Sequence, residues 1–100
     1  MLNYGIDEIT KNKIVGILKV LFPEAKIYLY GSRARGDYSE FSDIDLAIDA
    51  GANKERLDVE EALAVLDGLR IIYKIDVIDL NYVSDEMRSK ILKDGVLWVN

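Results

Sequence analysis

The spacing of hydrophobic residues along the chain predicts three amphipathic helices. Apolar positions recur at helical intervals over about residues 7–22, where Pro23 ends the pattern, and again over about residues 54–69. A third helix is predicted after Ser84, a side chain suited to an N-cap, with Gly95 as its C′ glycine. The residues predicted to face inward are Ile14, Ile17, Leu18 and Leu21, then Leu57, Val59, Ala62, Leu63 and Leu66, and finally Met87, Ile91 and Leu92.

Four predicted strands separate and follow these helices. The runs at 26–31 (KIYLYG) and 44–49 (IDLAID) are rich in β-favouring residues. Residues 71–80 form a third strand, whose apolar content on both faces indicates an interior position, and residues 96–99 form the last. This order predicts an α/β (α+β) fold in which one small mixed sheet has helices packed against it, with residues 1–100 forming a single domain.

Composition narrows the range of functions. Half of the 100 residues are apolar and 31% are charged, which is typical of a soluble globular domain. The absence of cysteine and histidine excludes zinc sites built from those residues, thiol nucleophiles and histidine bases. A net charge of −5 argues against wrapping a nucleic-acid polymer. With neither a secretion signal nor an apolar run of about 20 residues, we expect a cytoplasmic protein without a membrane partner.

Two aspartates, Asp43 and Asp45, stand one residue apart at the start of the 44–49 strand. Alternate residues of a strand share a face, so a strand that includes Asp43 would place the carboxylates ~6 Å apart with a repulsion of about 3 kcal/mol. Solvent exposure, a raised pKa or a bound cation would relieve it. Since the available ligands are oxygens, a cation here would be hard, such as Mg²⁺ or Mn²⁺.

A third carboxylate would complete such a site, and two are available on the 71–80 strand. Asp76 and Asp79 lie on opposite faces of that strand, and periodicity does not choose between them. Asp49 shares a face with Asp45 but lies ~13 Å along its strand, too far to bind the same ion.

The Gly31-Ser32 pair is a candidate phosphate-binding turn. Gly31 allows close approach of the backbone to a phosphate, Ser32 adds a hydroxyl, and a short helix at 32–35 would present free N–H groups. A plain strand-to-helix turn is the alternative. Arg33 and Arg35 suit either a phosphate contact or a solvated surface, and the sequence leaves their roles open.

Taken together, Gly31-Ser32, the segment at 42–45 (SDID) and that at 75–77 (IDV) resemble the signature of the DNA polymerase β-like nucleotidyltransferases. The run at 31–48 is most similar to the minimal nucleotidyltransferases of that superfamily. The resemblance covers nearly the whole chain, including its closing RSKILKDGVLWV segment.

This resemblance implies a site and a reaction. Gly31 and Ser32 would contact the triphosphate of ATP or another nucleoside triphosphate, while Asp43 and Asp45 would bind two Mg²⁺ ions. Asp76 would complete the metal ligands, and whether it also accepts the proton of the attacking hydroxyl stays open. The hydroxyl attacks the α-phosphorus in line and pyrophosphate leaves.

The resemblance also implies a partner. Larger relatives carry a second, helical domain for which this chain has no room, so we expect the acceptor surface to come from another protein or a second copy of the chain. Minimal nucleotidyltransferases often accompany a helical HEPN-type protein, and some act as antitoxins by adenylylating a hydroxyl of that toxin. The alternatives are a non-catalytic subunit that neutralises or complements a helical partner, and nucleotidyl transfer to a small molecule such as an antibiotic.

Overall fold

The computed structural model describes residues 2–52 and 54–99 of the chain. The described part consists of six strands, four α-helices and one 3₁₀ turn. In chain order these are β1 (Leu2–Asn3), β2 (Ile6–Asp7), α1 (Glu8–Leu21), β3 (Lys26–Tyr30), α2 (Gly31–Arg35), β4 (Ile44–Asp49), α3 (Val59–Asp67), β5 (Ile75–Asp79), the 3₁₀ turn (Leu80–Tyr82), α4 (Asp85–Asp94) and β6 (Val96–Val99).

One four-stranded mixed sheet organises the fold. Its strand order is β5-β4-β3-β6, in which β4 and β5 run parallel while β3 pairs antiparallel with both β4 and β6. The short strands β1 and β2 form a separate antiparallel pair. The mixed sheet with packed helices confirms the predicted fold class.

The main core lies on the face of the sheet that α1 and α3 cover. Strand residues alternate between faces, so β3 and β4 each send every second side chain into this core. Its fully buried members include Ile14 and Leu18 of α1, Leu66 of α3, Ile27 and Leu29 of β3, and Ile44, Leu46 and Ile48 of β4. The opposite face carries a smaller cluster of Ala47, Leu80 and Ile91, through which α4 packs.

Among the described residues, none of the helices combines the length and the apolar character that a membrane span requires.

The first helix forms where the pattern predicted it. The Asp7 side chain caps α1 by accepting a hydrogen bond from the Thr10 N–H (3.0 Å), and the helix ends at Leu21, two residues before Pro23. Ile14 and Leu18 are fully buried, while Ile17 packs against them at the edge of the core.

The second helix begins later than predicted. Residues 54–58 are irregular, and α3 starts at Val59 after an N-cap at Asp58, whose side chain accepts from the Glu61 N–H. The Leu57 N–H instead donates to Asp79 Oδ2 (2.9 Å), so this segment is fixed by a contact with a residue 22 positions away. Apolar spacing alone does not reveal such a contact.

The third strand differs more. β5 spans only Ile75–Asp79 and is an edge strand, so the predicted interior position is wrong. β5 is apolar on both faces although it lies at the edge, because Val77 packs in the main core while Ile78 packs in the smaller cluster on the other face. In the preceding loop Ile72 is 90% exposed.

The last helix has the predicted N-cap but buries fewer side chains than expected. Ser84 Oγ accepts from the Met87 N–H (3.2 Å), and Ile91 is buried. Met87 and Leu92 are 37% and 42% exposed, so their predicted inward orientation is wrong. Gly95 is the C-cap itself and not the predicted C′ residue, and its backbone is extended at φ −74°. A Cβ there would collide with the Ile91 carbonyl.

The central strand should carry much of the stability. We expect Leu46→Ala to lower the free energy of unfolding by about 2–5 kcal/mol, because Leu46 is fully buried on β4 and its truncation leaves a cavity. Ile72→Ala, which removes an exposed side chain, should change it by less than about 0.5 kcal/mol. Urea unfolding followed by circular dichroism measures both, and equal losses would contradict the assigned core.

Candidate active site

Three polar side chains form a row across neighbouring strands on the face opposite the main core. Tyr30 of β3 lies directly opposite Asp45 of β4, and Asp45 lies directly opposite Asp76 of β5. Adjacent strands are about 4.8 Å apart, so paired residues hold their side chains together on one face. The register therefore places Asp76, and not Asp79, beside Asp45.

Asp43 lies just before β4 begins, at the same end of the sheet. The strand starts at Ile44, whose N–H donates to the carbonyl of Lys74 (2.8 Å) and fixes the entry of β4 against that of β5. The predicted sharing of one strand face by Asp43 and Asp45 is thus met only in part, since Asp43 precedes the strand.

Gly31 joins the row to the turn that follows β3. Its φ of +75° lies in the left-handed region, and a Cβ at this position would collide with the carboxylate of Asp45. Two independent constraints therefore require glycine here. The same contact places the candidate phosphate-binding turn next to a candidate metal ligand.

Ser32 occupies the first turn of α2 and is partly exposed. Its carbonyl accepts from the Gly36 N–H (2.9 Å), which closes this five-residue helix, and Gly36 ends it with φ +90°. The short helix predicted after the Gly31-Ser32 pair is confirmed.

The row is electrostatically strained. Burial raises the pKa of Asp45, and the negative charges of Asp43 and Asp76 raise it further, against a smaller lowering by the two arginines of α2. Burial, followed by the charges of Asp45 and Asp76, raises the pKa of Tyr30 to about 12. The Tyr30 hydroxyl therefore keeps its proton at neutral pH and remains a hydrogen-bond donor.

The carboxylates of Asp43, Asp45 and Asp76, which together form the carboxylate row, fit Mg²⁺. Among residues 2–52 and 54–99, no three acidic side chains converge into a ready-made metal centre. Mg²⁺ seldom needs one, because it is usually held by one or two carboxylates together with water and substrate phosphates. Asp43, Asp45 and Asp76 supply hard oxygen ligands, and their mutual repulsion would be relieved by a cation.

Arg33 is fully buried, so the structure excludes it from the candidate phosphate contacts. Its guanidinium donates to the carbonyls of Ser42 (3.1 Å from Nε and 2.9 Å from Nη2), Tyr4 (3.0 Å) and Glu40 (3.4 Å). These contacts fasten the loop before β4 to α2 and to the turn between β1 and β2.

Two aromatic rings complete the surroundings of this guanidinium. The Arg33 Cζ lies 5.1 Å from the ring centroid of Tyr38 and 4.9 Å from that of Tyr73. Aromatic faces and carbonyl oxygens therefore stabilise this buried cation. In the described part of the chain, no carboxylate oxygen lies within 4 Å of it.

Arg35 has the opposite character. Its side chain is 41% exposed, and it makes a 3.5 Å contact with Asp37, which is itself 66% exposed. Arg35 also lines a small cavity beside Gly31. Of the two arginines that the sequence could not separate, Arg35 is thus the remaining candidate for a phosphate contact.

The two remaining aspartates of β4 and β5 have structural roles. Asp79 is buried and accepts from the N–H groups of Leu57 (2.9 Å) and Asn81 (3.0 Å). Asp49 accepts from the Gly51 N–H and the Asn81 side chain, both at 2.9 Å, and these hydrogen bonds hold its pKa below the usual range despite partial burial. Both lie outside the candidate site.

Tyr30 is the site residue that sequence reasoning missed. Its signal was present, because the alternation in KIYLY places Tyr28 and Tyr30 opposite the buried Ile27 and Leu29. What the sequence lacked was the pairing of β3 with β4, which brings Tyr30 against Asp45.

A larger hollow of about 630 Å³ lies at the edge of the sheet, between the end of α3 and the entry to β5. Its walls include Leu63, Asp67, Arg70, Tyr73 and Lys74, but neither Gly31 nor any aspartate of the row. We therefore assign the candidate site to the carboxylate row and not to this larger space.

Comparison with known proteins identifies the family. The sequence profile described as polymerase beta, nucleotidyltransferase matches residues 12–100. The chain therefore belongs to the polymerase β-like nucleotidyltransferases, an enzyme class, and the predicted family and fold are confirmed.

Individual relatives are consistent with this assignment. The chain is 31% identical over 83 residues to a Haemophilus influenzae protein named "Probable protein adenylyltransferase MntA", covering 77% of this chain and 68% of that protein. It is also 31% identical over 92 residues to a candidate protein adenylyltransferase of Methanocaldococcus jannaschii, covering 92% and 96%. A solved structure described as a toxin-antitoxin with AMP-PNP superposes with a TM-score of 0.72 at 27% identity, covering 90% of this chain and 73% of the other.

The role of the buried arginine is open to direct test. We expect Arg33→Lys to lower the free energy of unfolding by about 3 kcal/mol or more, because one ammonium cannot reach the carbonyls of both Tyr4 and Ser42 and remains buried with too few partners. Arg35→Lys, at an exposed position, should cost less than about 0.5 kcal/mol. Urea unfolding gives both values. Similar costs for the two variants would refute a structural role specific to Arg33.

The strain at Asp45 predicts a pH-dependent effect. The folded state raises the pKa of Asp45 above the ordinary 3.8, so the stability of the fold falls as the pH rises from that ordinary value to the raised one, and the full loss is present above the raised value. In metal-free buffer, Asp45→Asn should therefore raise the free energy of unfolding near pH 7, by roughly 1 kcal/mol or less because the site is partly solvated. The gain should shrink near pH 3, below the ordinary pKa. A loss of stability at neutral pH would contradict the strain.

Proposed function

We propose that this protein transfers a nucleoside monophosphate, AMP from ATP, to a hydroxyl group of a protein partner with the help of Mg²⁺. The observation that carries the proposal is the pairing of Asp45 with Asp76 directly beside Gly31. It brings hard-cation ligands and a phosphate-binding turn together, as phosphoryl transfer requires. Membership of the nucleotidyltransferase family supports the same reaction class.

Each residue of the site has a defined task in this proposal. Asp43, Asp45 and Asp76 hold the metal, which when bound neutralises phosphate charge and orients the reacting oxygens. Gly31 and Ser32 bind the phosphates that leave as pyrophosphate. Asp76, at the end of the row farthest from Gly31, would accept the proton of the attacking hydroxyl.

The order of these residues across the sheet also predicts the side from which the acceptor approaches. In-line displacement puts the attacking oxygen opposite the leaving phosphates. With the phosphates beside Gly31 at the β3 side, the acceptor approaches from the side of β5. Since β5 is an edge strand, no further strand of the described residues covers that side, which favours a bulky protein acceptor over a small molecule.

The acceptor that fits best is a HEPN-type toxin, with this protein as its cytoplasmic antitoxin. The support is the family resemblance, the relatives named as protein adenylyltransferases, and the similar toxin-antitoxin structure with AMP-PNP. A pair of this kind is a hetero-oligomer, and residues 1–100 would act in it as one domain.

A second candidate is a binding subunit that neutralises its partner without transfer. Substituting a single carboxylate separates the two candidates, because a binding subunit keeps neutralising its partner after the substitution.

The activity test uses the protein, its helical partner, ATP and Mg²⁺, with the partner analysed by mass spectrometry. We expect the partner to gain the mass of AMP, and we expect a metal chelator to stop the reaction. Asp43→Asn should slow transfer roughly a hundredfold or more, since a carboxylate that positions charge at the reacting phosphate is lost. Its circular dichroism spectrum should be unchanged.

Asp67→Asn serves as the matched control, because Asp67 is exposed on α3 and lies outside the carboxylate row. Transfer by Asp43→Asn at the rate of this control would remove Asp43 from the site. No mass gain with any of the four nucleotides, combined with retained neutralisation, would favour the binding subunit.

A further inference from the structure

A small cavity opens beside the phosphate-binding turn, between α2 and α4. Its volume is about 190 Å³. Pockets that enclose a whole ligand usually measure ~300–1,000 Å³, so this one suits a fragment of a larger molecule. The residues that line it are Tyr30, Gly31 and Arg35 on one side and Met87, Lys90, Ile91 and Asp94 of α4 on the other.

Two cationic side chains, Arg35 and Lys90, reach this cavity from different helices. Arg35 contacts the exposed Asp37, but a surface pair of this kind is weak and readily exchanged for a phosphate. Asp94 lies one helical turn after Lys90 and also lines the cavity. Within the described residues, however, the ammonium of Lys90 has no carboxylate within 4 Å.

The position of the cavity defines what would occupy it. Gly31 lines the cavity and also contacts the Asp45 carboxylate. A nucleotide whose α-phosphate lies at the carboxylate row, and whose chain of phosphates passes Gly31, would therefore extend its terminal phosphates between α2 and α4.

We propose that Lys90 of α4 acts with Arg35 as a clasp for the β- and γ-phosphates of the nucleoside triphosphate. This inference rests on the proposed function and adds to it a second element that binds the leaving group. During transfer the acceptor oxygen bonds to the α-phosphorus, its proton passes to Asp76, and the bond from the α-phosphorus to the bridging oxygen breaks. The electron pair of that bond goes to pyrophosphate, whose added charge the ammonium of Lys90 stabilises.

The test compares the binding of ATP, pyrophosphate and AMP to the folded protein by calorimetry in the presence of Mg²⁺. Lys90→Gln should weaken ATP and pyrophosphate binding about tenfold or more, because a hydrogen bond from a charged donor is lost. AMP binding should stay within about twofold, since AMP has no β- or γ-phosphate. Lys90→Arg should restore most of the affinity for ATP, because it keeps the charge.

Lys93→Gln is the matched control. Lys93 is an exposed lysine of the same helix that does not line the cavity, so its substitution removes the same charge at a different place. It should leave ATP binding within about twofold, because exposed charges outside the cavity are screened by solvent and salt.

The outcomes separate this inference from the proposed function. If wild type binds ATP and Lys90→Gln binds it equally well, the clasp is refuted while the proposed function stands. A Lys90→Gln variant that loses AMP and ATP affinity equally also refutes the clasp, because the effect would not depend on the terminal phosphates. If wild type binds neither ATP nor pyrophosphate, both proposals fail.

Discussion

The buried guanidinium of Arg33 is the interaction on which the candidate site depends. It belongs to the same short helix as Gly31 and Ser32, and it donates to the carbonyl of Ser42, immediately before Asp43. One side chain thus ties the candidate phosphate-binding turn to the first candidate carboxylate. A charged donor that is shielded from solvent holds its acceptors strongly, because releasing them would leave a buried cation unsatisfied. The loop between α2 and β4, although polar and mostly exposed, is therefore fixed at its end.

The candidate site that Arg33 holds in place contains negative charges that repel each other. Asp43 and Asp76 both act on a partly buried Asp45, and the Tyr30 hydroxyl beside them is kept from ionising. Such an arrangement lowers the stability of the metal-free protein and favours a cation at the same time, since a divalent ion removes the repulsion. Strain of this kind at a site is typical of function, where binding requirements override local stability.

Much of the fold could be predicted from the sequence because its signals are local. The helix α1 and the strand β4 follow from apolar spacing, Pro23 and the IDLAID run. Errors arose where a distant contact decides. The start of α3 depends on the hydrogen bond from the Leu57 N–H to Asp79. The edge position of β5 depends on the strand order, and the sequence does not reveal it because Val77 and Ile78 pack on opposite faces, as in an interior strand.

The residues of the candidate site could likewise be predicted from the sequence only in part. Local sequence identifies Gly31, Asp43 and Asp45, since they lie within one short stretch, but it cannot choose between Asp76 and Asp79. The parallel pairing of β4 with β5 makes that choice, by placing Asp76 opposite Asp45 and turning Asp79 towards the Leu57 backbone. The same pairing leaves β5 at the edge of the sheet, beyond which no further strand covers the site among the described residues. One strand register thus brings Asp76 into the candidate site and leaves no strand of the described residues beyond β5, on the side from which the proposed acceptor would approach.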